Sequence, residues 1–404
     1  MFSKLTLSAL AAASLASAAS SSTCTQSTFT ISTAAQATAL ADCKTVSGSI
    51  LIPESSDNTL DLSGPTSIDG DLTVKNNHNI ITLSSTSLES ITGAFTLQNT
   101  TLLSTLSMTS LTSVGSINWM SLNALNELTF TSAVSSADSV VISDTFLQNL
   151  DGIDLETVGT MNINNNKRLT KFDTALKSVS TLLSLQANGV SLSVSMPNLV
   201  WIAEMTLANV TEFSAPSLEV VNGSARFDSN YFQSFSAPNM TSTETGDISF
   251  INNGELTNIS FPSLTTIGGG LTIVNNTLLE ELNDFPVLKE VGGAVKLGGN
   301  FSSVQFPKLG DVKGTFELSS TGDIEDSCTT LKEDAPDSQG GNGNIQGKFT
   351  CTSNNAEANT GSTKGDSGSS SSSGSSNSSS AAVNVHVNSA VIGLSFVGLL
   401  AQLL

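Results

Sequence analysis

The feature that most limits what this chain can fold into is a motif that recurs about every 22 residues through its middle. Six of the nine prolines share one frame, Pro197, Pro216, Pro238, Pro262, Pro286 and Pro307, and each is followed two residues later by Leu or Met. Downstream comes an apolar-x-apolar pair, often with Gly before it and Asn or another small residue after it, as in Gly270-Leu271-Thr272-Ile273-Val274-Asn275-Asn276. The second apolar member continues where the prolines stop. It runs through Ile52, Val74, Leu97, Trp119, Ile142, Ile163, Leu185, Leu207, Phe227, Phe250, Ile273, Leu297 and Leu318, which is twelve steps over 266 residues. Self-similarity at a fixed period of this length means a solenoid.

No single unit can fold alone. In the unit from Phe261 onward, Phe261, Leu264 and Ile267 step inward every three residues, and Leu271 and Ile273 then alternate as a short strand. Burying such a side chain contributes about 1.5 to 3 kcal/mol, whereas ordering each residue of the unit costs about 1.5 kcal/mol. Stacking is therefore obligatory. Strands of successive coils are expected to run parallel, about 4.8 Å apart. The expected fold is mainly β, a parallel β solenoid of about 13 coils.

Three sets of surface positions follow from this register. Two residues beyond the inward strand member lie Asn76, Asn99, Ser121, Asp144, Asn165, Ala187, Asn209, Ser229, Asn252, Asn275, Gly299 and Ser320. They are expected to form a stacked ladder that satisfies backbone groups of the turns. The even strand positions form an outward polar face, on which Lys75, Gln98, Asn162, Asn164, Gln186, Arg226 and Asp228 are candidate ligand residues, with solvation alone as the plain alternative. Trp201 and Tyr231 are expected at outward turn positions, where they could stack on a sugar ring. N-x-S/T sequons occur at Asn99, Asn209, Asn222, Asn239, Asn258, Asn275, Asn300 and Asn377. Asn222, Asn239, Asn258 and Asn300 are expected to carry glycans, and Asn99, Asn209 and Asn275 less so, because the ladder would hold them.

The two ends add domain organisation. Residues 1–18 read as a secretory signal, with Lys4, an apolar stretch to Leu15 and the small triplet Ala16-Ser17-Ala18. Residues 19–353 form the solenoid, 354–377 a Ser/Gly-rich stalk, and 378–404 an attachment propeptide ending in an uncharged apolar tail from Ala390. Small residues, a weakly polar spacer and that tail are the parts of a GPI signal. Asn377 is the expected attachment residue, with Gly374, Ser376, Ser378 and Ser379 as competitors. Four cysteines flank the repeat. Of the three possible pairings, Cys24–Cys43 with Cys328–Cys351 closes two short local loops, one at each end of the solenoid.

Composition excludes several functions. The 404 residues carry 35 acids against 15 bases, a net of −20, which repels nucleic acid. His78 and His386 are the only histidines, so a Ser-His-Asp triad or a His-rich metal site has almost nothing to build on, and no cofactor or metal is expected.

Taken in order, the secretion signal, the paired terminal cysteines, the L-xx-I-xG-xLxIxNN coils, the Ser-rich stalk and the GPI tail resemble the fungal GPI-anchored cell-wall organisation proteins, the extracellular-mutant and sporulation-specific family. The resemblance covers the whole precursor and implies coils of leucine-rich, receptor L-domain type. It also implies a non-enzymatic surface glycoprotein needed for wall integrity and morphology, without fixing its ligand; the open polar face makes wall glucan or wall proteins the expected partners. Such a protein sits outside the cell, on the outer leaflet through a GPI lipid, in the wall, or both. The rival expectation is a wall-glycan hydrolase or transglycosidase, with Glu204 and Asp228 or Asp247 and Glu280 as its carboxylates. Retaining chemistry needs the two carboxyls roughly 5 Å apart.

Overall fold

In the computed structural model, which describes residues 23–359, the thirteen-member apolar column is one parallel ladder. Ile52 faces Val74, Val74 faces Leu97, and the pairing continues from coil to coil up to Leu297 and Leu318. Every member is at most 1% exposed. The ladder gains a first rung at Thr25–Thr30 and a last at Phe349–Thr352, where Leu318 faces Cys351. The resulting sheet has 22 strands, because most rungs of the C-terminal half break in two at a bend. The signal peptide, Asn377 and the propeptide lie outside the described residues.

Each coil holds more strand than the sequence led us to expect. Before the bend a second inward column runs through Val46, Ile68, Ile91 and Val114, and near the other end through Ile267, Val291 and Val312. The opposite wall carries short strands of its own, which stack Leu60 on Leu83 and Leu106, Phe172 on Val194 and Phe213, and Phe235 on Ile259. Once two coils are in register, any extended segment meets its counterpart 22 residues on and pairs with it. The core fills the space between the walls. In the C-terminal half it becomes a chain of rings, Phe235, Phe261, Phe285, Phe306, Phe316 and Phe349, with successive centroids 5.3 to 6.3 Å apart. The bend explains the glycine of the motif: a Cβ on Gly246 would lie 2.1 Å from the carbonyl carbon of Gly223 in the preceding coil.

The polar ladder exists, but one residue later than expected. Ten consecutive coils, from Asn76 to Asn275, place the expected ladder residue in the left-handed region with φ of 51° to 62°. That conformation favours Asn, Asp and small residues and turns the chain out of the strand. In the last two coils Gly299 and Ser320 instead remain in strands. The buried ladder is formed by the next residue, in the segments Ser55–Asn77, Thr145–Asn166–Asn188 and Asn230–Asn253–Asn276. Asn276 Oδ1 accepts both the backbone N–H (2.9 Å) and the side-chain Nδ2 (3.0 Å) of Asn253, while Asn276 Nδ2 donates to Phe250 O (2.9 Å). Asn253 treats Asn230 in the same way and donates to Phe227 O. Where Leu122 takes the position, Thr100 Oγ1 of the preceding coil is buried without a hydrogen-bond partner.

Both ends are closed as the cysteine spacing implied, with disulfides Cys24–Cys43 and Cys328–Cys351. At the N-terminal end α1 (Ala34–Thr38) starts on a Thr33–Gln36 capping box and packs on the strand Thr59–Asp61. At the other end α2 (Glu325–Lys332) carries Cys328. The stalk boundary expected at 354 falls early. Asn355 donates through Nδ2 to Ser319 Oγ and through its backbone N–H to Ser320 O, Asn359 donates to Asn300 Oδ1, and a Cβ on Gly298 would lie 3.0 Å from Ala358 O.

Two outcomes are expected from these contacts. Asn253→Ala strips a fully buried bridge and leaves partners in two coils unpaired, so it should lower stability by about 3 kcal/mol. Its neighbour Asn252→Gly, at φ 58°, should be close to neutral. Denaturant unfolding of the two variants side by side checks the ranking. Removing Cys24 and Cys43 together should cost about 3 kcal/mol by the loop-closure relation, read as a shift in the same midpoint.

Candidate ligand-binding face

The outward residues of the long sheet are set by strand alternation. After the bend, each rung presents two side chains on the side opposite the core, and in-register pairing lines them into two columns. One contains Thr73, Thr96, Asn118, Val141, Asn162, Ser184, Thr206 and Arg226; the other contains Lys75, Gln98, Met120, Ser143, Asn164, Gln186, Ala208 and Asp228. The structure therefore brings Lys75, Gln98, Asn162, Asn164, Gln186, Arg226 and Asp228 to one face, each at least partly exposed.

Several of these side chains are already ordered by one another. Ser143 Oγ donates to Asn164 Oδ1 (2.6 Å), Asn164 Nδ2 to Asn162 Oδ1 (3.0 Å), and Gln186 Nε2 to Ser184 Oγ (2.8 Å). Among the described residues this leaves the Asn162 side-chain NH₂ and the Gln186 side-chain Oε1 without protein partners, one a donor and the other an acceptor. Arg226 stands 3.9 Å from Glu204, an exposed pair that contributes little. Asp228 Oδ1 accepts from Ser229 Oγ at 2.8 Å.

The two aromatics belong elsewhere. Trp201 is not in a turn: it opens the strand Trp201–Ile202 before the bend, in register with Ser178 and Val220, because Ile202 beside it fills the inward column. Tyr231 lies in the connection between the strands Ala225–Asp228 and Ser234–Ser236, 41% exposed, with its hydroxyl 3.5 Å from Asn209 Nδ2. Bend and turn are opposite ends of a rung, so the two rings do not form one platform.

The proposed catalytic carboxylates are also kept apart. Asp228 pairs in register with Ala208, four residues beyond Glu204, which sets the two backbone positions about 13 Å apart along the strand direction. Glu204 instead braces the bend, accepting the Ser224 N–H at 3.1 Å. Asp71 and Asp247 do the same for Ala94 (2.8 Å) and Gly270 (2.6 Å). Glu280 lines a depression of about 510 Å³ with Glu281, Asp284 and Asn258, and Asp247 is not part of its wall. Proton affinity is displaced at two exposed lysines, Lys171 and Lys313, both raised first by a hydrogen bond to a carboxylate (Asp173 and Glu290) and then by its charge. Sequence reasoning missed the bracing role of Asp71, Glu204 and Asp247. Its signal was present in the recurrence of an acid immediately before the inward pair.

A disulfide-closed parallel solenoid with an uncovered polar face and sequon-rich turns defines a class of surface repeat proteins. Comparison with known proteins agrees. Residues 1–41 match the model of the Ecm33 family, described as GPI-anchored cell wall organization protein. The chain is 40% identical over 335 residues to protein ecm33 of Aspergillus fumigatus, covering 83% of this chain and 81% of that one. It is 37% identical to a cell surface GPI-anchored protein of Arthroderma benhamiae over 80% of this chain and 81% of the relative. With sporulation-specific protein 2 of Saccharomyces cerevisiae it shares 32% identity over 78% of this chain and 62% of the relative. No solved structure matches. The chain belongs to the Ecm33 family of GPI-anchored cell-wall organisation proteins. The extracellular location expected from the sequence, on the outer membrane leaflet or in the wall, agrees with that membership.

The register also re-sorts the sequons. Asn99, Asn209 and Asn275 occupy the outward left-handed position rather than the buried ladder, so packing does not bar them. Asn300 is the sequon whose amide is held at both ends: Nδ2 donates to Thr277 O at 2.7 Å, and Oδ1 accepts from Thr321 and Asn359. Asn222 and Asn258 are exposed with no side-chain hydrogen bond, and exposed Asn239 makes one, to Pro216 O. Peptide mapping of the secreted protein is expected to find glycans at Asn222, Asn239 and Asn258 and little at Asn300. Full occupancy at Asn300 with the other three bare would contradict the assigned surface.

Proposed function

We propose that this protein is a non-enzymatic, GPI-anchored surface glycoprotein that supports cell-wall organisation and integrity by holding wall glycan or wall proteins on its outward sheet face. The observation that carries the reading is the face itself: thirteen rungs in continuous parallel register present an ordered polar surface that most of the chain's own elements leave open. Parallel sheets are ordinarily covered on both sides, and in solenoids an open face is where ligands dock. Names of the relatives, cell wall and cell surface proteins, support the location and the wall role. In this reading Asn377 receives the lipid, and the Ser-rich stretch before it spaces the solenoid from the membrane.

The separation of Glu204 from Asp228 argues against the hydrolase alternative. Incubating the protein with labelled wall oligosaccharides tests the choice. Saturable retention with no change in chain length is expected. Cleavage or transfer that disappears in Glu204→Gln or Asp228→Asn would contradict it.

A further inference from the structure

The outward face is not uniform in charge. From the rung of Thr96 to the rung of Thr206, six coils and about 24 Å of sheet, none of the twelve outward strand positions carries a charge. The patch is bounded by Lys75 on one side and by Arg226 and Asp228 on the other. In a chain of net charge −20 a neutral stretch of this length stands out. A charged polymer would find no counter-charge here, whereas a neutral polyhydroxylated one loses nothing to desolvation of ions.

A second observation coincides with it. Of the seven sequons in the described residues, six lie between Asn209 and Asn300, and the seventh, Asn99, sits at the turn that borders the patch. No sequon falls between residues 100 and 208. The four inner coils of the patch, from Asn118 to Gln186, thus carry no sequon, while Asn99 and Asn209 stand at the turns of its two edge coils and the remaining sequons lie beyond it.

Resting on the wall-binding reading above, we infer that this neutral patch is the docking site of an extended, uncharged wall polysaccharide lying along the solenoid axis. Side chains recur at the rung spacing of about 4.8 Å, a length close to the advance of one pyranose unit in an extended chain, so successive sugars meet equivalent positions. The free side-chain NH₂ of Asn162 and the free Oε1 of Gln186 match sugar hydroxyls, which both donate and accept. The hydrogen bonds Ser143–Asn164–Asn162 and Gln186–Ser184 hold the platform in place before the ligand arrives, which reduces the ordering cost of binding.

The test is retention of the full chain, secreted from eukaryotic cells, on insoluble β-1,3-glucan, chitin and mannan. The unmodified chain is expected to bind at least one of them, with affinity unchanged from low to high ionic strength. Asn162→Asp combined with Gln186→Glu places charge on the patch with almost no change in shape and should weaken binding at least tenfold at an unaltered melting temperature. Met120→Thr completes an N-x-T sequon at Asn118, and the glycan it recruits should block binding without touching a buried residue. Lys171→Gln with Asp173→Asn, an exposed pair on the opposite wall of the coils, should leave affinity within twofold. Binding that survives both patch variants overturns this site while leaving the wall-binding reading intact. Capture of wall proteins but of none of the three polysaccharides overturns the polysaccharide and leaves only the protein-binding form of that reading. Loss of affinity in high salt also overturns the neutral ligand.

Discussion

Each coil depends on the coil before it and the coil after it to remove its apolar column from water, and nearly every other property of the molecule follows from that dependence. A single coil has too few inward side chains to offset the entropy of ordering its backbone, so only registered stacking gives a stable state. Registered stacking forces parallel pairing, and parallel pairing repeats each kind of position at the rung spacing. That is why one Leu or Ile in the motif produces a spine, one Asn produces a hydrogen-bonded ladder, and one outward Thr or Gln produces part of a surface. The buried asparagines refine the register, because Asn230, Asn253 and Asn276 each satisfy their amides only when the adjoining coil is neither slipped nor rotated.

The same architecture separates structural work from surface work. Acids that might have suggested chemistry, Asp71, Glu204 and Asp247, are engaged in holding backbone amides at the bend, where the chain turns too sharply for the ladder to pair them. The outward columns have no such duty and are free to vary. Their neutrality over six coils, set against the acidity of the whole chain, is therefore informative in a way that a buried residue's identity is not. An ordered polar platform flanked by sequons, in a member of a GPI-anchored cell-wall family, fits the proposed role of organising polymers rather than cutting them.

Much of this was legible in the sequence because the dominant signal is periodic. The spine from Ile52 to Leu318 was assigned residue by residue, and its pairing partners agree throughout, since a one-residue slip would expose the whole column. The disulfides were equally accessible, because each closes a local loop at a chain end. What the sequence hid was local geometry. In the Asn-Asn pairs such as Asn252-Asn253 the first residue adopts φ 58° and the second is buried, but both look alike in composition. The bend within each rung is made by close approach of neighbouring backbones, which no short motif around Trp201 marks, and Trp201 lies in a strand rather than in a turn. The tie between Asn300, Thr321 and Asn359 joins residues 59 apart, too far for any short motif to reveal.

The central claim is that thirteen coils in unbroken register bury one another. Hydrogen exchange of the full chain, resolved at the level of single rungs, measures it most directly. Slow exchange is predicted in the strand segment of every coil from Val46 to Leu318, recurring with the 22-residue period and lost first at the turns that hold the left-handed residues. Protection confined to one lobe, with the coils between Trp119 and Leu207 exchanging freely, would contradict it.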